Sequence, residues 1–112
     1  MGSLSGPKSC KQATLLDGVT AQSDGSWVDV GSLRRMTIHI KGITSATCQI
    51  RGSCAPTKPD DTADEVQIGN DITSDTIYEI TAKLRWVKVK VSAYTSGTIY
   101  AYLVGDEFLY SS

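Results

Sequence analysis

The side chains that most often carry chemistry are sparse in this sequence. Histidine occurs once, at His39, so histidine-pair metal sites and histidine relays lack their second member. His39 alternates with Thr37 and Lys41 against Met36, Ile38 and Ile40, which predicts an outward, solvated ring on a strand rather than a base or a ligand. Three cysteines, Cys10, Cys48 and Cys54, cannot all pair within one chain, and with one histidine their spacing matches no zinc signature. Free thiols are expected: Cys48 as a small core residue in an alternating strand, Cys10 and Cys54 in loop-like surroundings open to oxidation.

The densest acidic group is Asp60, Asp61, Asp64 and Glu65. An oxygen-rich loop can hold calcium, but the ordered ligand spacing and central glycine are missing, so a solvated acidic loop is expected. Gly69-Asn70-Asp71 and Ser23-Asp24-Gly25-Ser26 read as turns between strands, not as phosphate cradles. The basic run at Arg34-Arg35 is short, and eleven Lys and Arg against twelve Asp and Glu leave a net charge of -1, so no broad field draws nucleic acid. No apolar run reaches the roughly 18 residues of a membrane span, and the N-terminal residues lack the apolar stretch of a secretion signal. These features predict a soluble protein made in the cytoplasm that is not an enzyme. No catalytic residues, metal or cofactor are expected, and neither nucleic acid nor membrane is expected as a partner.

The elements that must carry any binding function are strands. Short segments rich in β-branched and aromatic residues recur with turn residues between them: 13–19, 26–30, 34–41, 45–51, 65–69, 76–81, 84–94 and 98–104. About eight strands with alternating patterns and no helical stripe predict an all-β fold, an antiparallel β-sandwich of jelly-roll or Greek-key type. The loop 52–62, with Pro56 and Pro59, divides it into two four-strand halves. Residues 1–11 read as a flexible N-terminal arm, 12–105 as the sandwich domain and 106–112 as a C-terminal tail.

Val87, Val89 and Val91, and Ile99, Ala101 and Leu103, all in odd phase, predict the buried faces of two strands. Joined by a three-residue turn Thr95-Ser96-Gly97, with Gly97 left-handed, they would form a hairpin opposing Val91 to Ala101. Trp86, Lys88, Lys90, Tyr100 and Tyr102 would then project together from the outer face, giving large, rigid contact area at low entropy cost. This is the expected partner-binding surface. Cys10 in the arm and Phe108 and Tyr110 in the tail are further candidate contacts, the tail by adding a strand to a partner.

The segments from Ala13 through Val28-Asp29-Val30 to Arg51-Gly52-Ser53, and from Arg85-Trp86-Val87-Lys88-Val89 through Tyr94-Thr95-Ser96-Gly97, resemble small β-sandwich virion proteins of tailed bacteriophages. Size, composition and arm are similar to jelly-roll decoration proteins, the cement or stapling proteins on capsids of short-tailed Salmonella phages. That resemblance implies a virion location on the capsid surface, the major capsid protein as partner, and a homodimer or homotrimer. The implied function is to hold neighbouring capsid subunits together. A tail, baseplate or fibre-associated component would share the pattern, and a carbohydrate-binding module would use the same aromatic face.

Overall fold

Two stretches free of proline, Leu33–Ser53 and Trp86–Glu107, set the architecture, because nothing in them removes a ladder donor. The computed structural model describes residues 10–59 and 65–107. In it six strands form one antiparallel sheet: β1 (Cys10–Val19), β2 (Val28–Asp29), β3 (Leu33–Ser53), β4 (Val66–Ile72), β5 (Thr76–Ile80) and β6 (Trp86–Glu107). The long strands β3 and β6 pair from Leu33 opposite Glu107 to Ser53 opposite Trp86. Their two ends recruit different neighbours. The C-terminal part of β6 and the N-terminal part of β3 are flanked by β1 and β5; the other two parts are flanked by β2 and β4.

The halves meet at a corner where the β3–β6 register slips repeatedly between Lys41 and Ala46. Gly42 and Gly97 occupy it with φ of 87° and 121°. A Cβ on Gly42 would lie 1.8 Å from the Thr98 carbonyl oxygen, so the backbones touch where side chains would otherwise stand. The Tyr94 hydroxyl donates to the Gly97 carbonyl at 2.6 Å and fastens the same point.

Side chains from both halves enter one buried cluster. Ile38, Ile40, Ala101 and Leu103 come from the first half, and Cys48, Ile50, Val87 and Val89 from the second, with Leu16, Val30 and Ile99. Fully burying each aliphatic side chain contributes about 1.5–3 kcal/mol, which is what folds the sheet over at its corner.

All eight extended segments are in place, but six strands stand where about eight were expected. Segments 34–41 and 45–51 are one strand, β3, and 84–94 and 98–104 are one strand, β6. The expected hairpin does not form: residues 95–97 continue β6, with Ser96 opposite Ser45 and Gly97 opposite Ile43. The positive φ at Gly97 serves a corner instead of a turn. Cys10 and Lys11, expected in the arm, already belong to β1 and pair with Asp106 and Gly105, so the tail boundary at 106 also falls inside a strand. Residues 1–9, the rest of the expected arm, and 108–112, with Phe108 and Tyr110, lie outside the described residues.

Candidate interaction faces

The five side chains expected on one outer face are divided between the two halves of the bent β6. Ten positions along β6, including the corner at Gly97, separate Lys90 from Tyr100.

On the first half, pairing aligns the outward residues in rows. Tyr102 lies between His39 of β3 and Thr14 of β1, and His39 continues to Ile77 of β5. Tyr100 lies between Lys41 and Asp17, and Val104 between Thr37 and Gln12. The Tyr100 and Tyr102 rings are near-parallel, 20° apart with centroids at 6.1 Å. The Lys41 ammonium sits over both, 5.2 and 5.9 Å from their centroids, and the His39 ring meets Tyr102 edge-on at 6.2 Å. Ile77 and Val104 are 68% and 43% exposed on this face. The result is an amphipathic patch on strands whose opposite sides are in the core. His39 has the outward position its alternation predicted. Ile77 and Val104 were missed, although each is an apolar residue in outward phase beside an inward one, Tyr78 and Leu103.

On the second half the outer face is covered. Trp86 is half-buried and its indole N–H donates to the Ala55 carbonyl at 3.1 Å. Lys88 is buried, paired with Glu65 at 3.1 Å and placed over the Trp27 ring at 4.7 Å. Glu65 is itself buried, with Arg51 at 3.8 Å from its other oxygen, and that oxygen has no hydrogen-bond partner. Glu65 therefore leaves the solvated acidic loop of the sequence reading and joins a buried ion cluster. Lys90 is paired with Asp24 at 3.6 Å. Here the aromatic and basic side chains hold the protein's own segments.

Among the described residues no group of His, Cys, Asp and Glu is arranged to hold a metal ion. Cys48 is a free thiol in the core, and burial pushes its pKa up to about 11, so it is protonated at neutral pH. Cys54 is a free, exposed thiol with its Sγ 3.5 Å from the Lys83 carbonyl. Cys10 is placed as the first residue of β1, its backbone opposite Asp106.

No protein-family model matches this chain, and no curated protein sequence does. Among solved structures, the crystal structure of the SPBc2 prophage-derived protein YomS has a similar fold, with a TM-score of 0.62 over 86% of this chain and 93% of that one at 19% identity. At that identity the likeness is one of fold.

Proposed function

We propose that this protein is a structural component of a phage particle, a decoration protein that binds the outer surface of the shell and staples neighbouring major capsid subunits. The observation that carries the reading is the first half's outward face. Tyr100, Tyr102, His39, Lys41, Ile77 and Val104 form a partly apolar surface on which the two tyrosines are half-buried and the other four side chains are exposed, and such surfaces mark contacts. The fold shared with a prophage-derived protein supports the phage context. In this reading the bent sheet is a reduced form of a Greek-key or jelly-roll sandwich, and the protein acts by binding and not by catalysis. It is made in the host cytoplasm and carried on the virion as a homodimer or homotrimer. Cys10, Phe108 and Tyr110 are proposed as further contacts with a neighbouring subunit. Many equivalent weak sites stabilise a shell by linkage and avidity.

Quantitative mass spectrometry of purified particles tests this. A copy number comparable to the major capsid protein is expected; a handful of copies would move the protein to the tail or baseplate, and absence would sink the virion reading. The near-parallel Tyr100 and Tyr102 rings favour one alternative, a carbohydrate-stacking platform, for which a glycan array is the direct assay.

A further inference from the structure

A second surface, where Lys11 of β1 meets the turn that follows β2, carries a different chemistry. Residues 29–33 form a tight turn: Leu33 N–H donates to the Val30 carbonyl at 3.0 Å and Gly31 N–H to the Asp29 carboxylate at 2.9 Å. Three cations from two distant parts of the chain converge on it. The Lys11 ammonium of β1 donates to the Asp29 carbonyl at 2.8 Å, the Lys83 ammonium donates to the Gly31 carbonyl, and Arg85 Nε lies 3.2 Å from Asp29 Oδ1. The loop carrying Lys83 and Arg85 is pinned there because Val30 N–H donates to the Arg85 carbonyl at 2.8 Å. Lys11, Asp29, Gly31, Ser32 and Arg85 line an open recess of about 460 Å³.

Among the described residues Arg85 is paired with the Asp29 carboxylate, while the Lys11 and Lys83 ammonium groups donate to backbone carbonyls and have no carboxylate within ion-pair distance. The Asp29 carboxylate is held in its ionised form. The Gly31 N–H, and after it Arg85 and Lys11, hold its pKa below the usual carboxylate range. Arg85 spends Nε on Asp29 while its side chain stays 45% exposed, so the remaining guanidinium N–H groups can address a further acceptor. Its guanidinium carbon lies 5.3 Å from the centre of the Trp86 ring, within reach of a cation–π contact.

We propose that this recess is a docking site for carboxylate side chains on an acidic segment of a protein partner. A planar guanidinium anchored through Nε favours a carboxylate, which it can meet with two parallel hydrogen bonds; Lys11 in the recess and Lys83 beside it, on the Gly31 carbonyl, add positive charge. The recess does not include Tyr100 or Tyr102, and the proposal does not depend on the shell-binding reading.

The test is an NMR titration of the full chain with a peptide of six consecutive glutamates, a length-matched glutamine peptide, and inorganic phosphate, at low salt. Shifts are expected in the amide signals of residues 29–33 and 85–86 with the glutamate peptide alone. Affinity should fall about tenfold or more in Arg85→Gln, the loss of one bidentate charged contact, and clearly in Lys83→Gln. Lys58→Gln, an exposed charge change elsewhere, should leave it unchanged. Lys83→Gln retains the Arg85–Asp29 pair, so it remains readable if Arg85→Gln unfolds. Equal binding of phosphate or the glutamine peptide, equal weakening by Lys58→Gln, or no shifts at all would each overturn the proposal.

Discussion

Replacing Gly42 with alanine puts the corner to a quantitative test. Two separate costs arise there. An alanine held at φ of 87° is in the left-handed region, which costs about 1–2 kcal/mol for a residue with a Cβ. Its methyl would also begin 1.8 Å from the Thr98 carbonyl oxygen, so the paired backbones must separate by roughly an ångström or lose ladder bonds. Overpacking of this kind costs about 1–3 kcal/mol and each lost bond about 1 kcal/mol more. Together these give about 3–5 kcal/mol, a large share of the 5–15 kcal/mol typical of a domain, and a fall in Tm of about 12–20 °C. Gly18 provides the control. Its φ of 73° imposes the same backbone cost, but its added methyl would meet the Tyr100 hydroxyl at 3.5 Å, an ordinary contact. Gly18→Ala should therefore lose only about 1–2 kcal/mol. Urea unfolding of both variants reads the difference directly. If Gly42→Ala costs no more than Gly18→Ala, the strands do not approach as closely as described, and the corner has another origin.

The buried ion pair gives a second contrast. Lys88→Met should cost about 3–5 kcal/mol because it leaves Glu65 charged and enclosed, and adding Glu65→Leu should restore most of it. Lys90→Met, opposite an Asp24 that is 74% exposed, should stay within about 1 kcal/mol, all by chemical denaturation. Tyr100→Ser with Tyr102→Ser should leave the circular dichroism spectrum unchanged while weakening particle binding more than tenfold in a co-sedimentation assay. Trp86→Ser should instead cost about 2–4 kcal/mol of stability, since its ring is packed and its N–H is used by Ala55. Cys48 predicts a pH dependence. Its thiol pKa is raised from 9.0 to about 11 in the folded state, so the folded form holds the proton longer. The resulting stabilisation is full below about pH 9 and is lost as pH rises toward about 11, a difference of about 2–3 kcal/mol that Cys48→Ala should abolish from the pH profile of unfolding.

The strands were legible because burial on one side imposes period-two alternation. Met36, Ile38 and Ile40, then Cys48 and Ile50, then Val87, Val89 and Val91, then Ile99, Ala101 and Leu103 are all buried as their phase requires. What that alternation leaves open is whom each strand pairs with. Thr95-Ser96-Gly97 satisfies the chemistry of a turn, and both a three-residue hairpin and a bulged corner call for a glycine with positive φ. The deciding contact is Gly97 against Ile43, some fifty positions away, which no local signal encodes. The same gap explains the candidate face. Trp86 and Lys88 are outward in phase, yet Ala55, Glu65 and Trp27 cover them from elsewhere in the chain. Conversely, Lys41, His39 and Ile77 reach Tyr100 and Tyr102 only through the β3 register.

Continuity of β3 and β6 also bears on what the exposed face can do. A hairpin at residues 95–97 would have left Tyr100 and Tyr102 on a short terminal strand that could fray. Instead their strand runs through the corner into the second half, and Val87, Val89 and Val91 on the same strand are locked in the core. Pulling on the tyrosine face therefore loads the whole β3–β6 ladder in shear, from Leu33 opposite Glu107 to Ser53 opposite Trp86, together with the closure at Gly42 and Gly97. Side chains on such strands lose little freedom when bound, so more of their contact energy survives as affinity. A protein proposed to hold shell subunits together under pressure needs both properties, a face that binds without reordering and a scaffold that does not peel from one end.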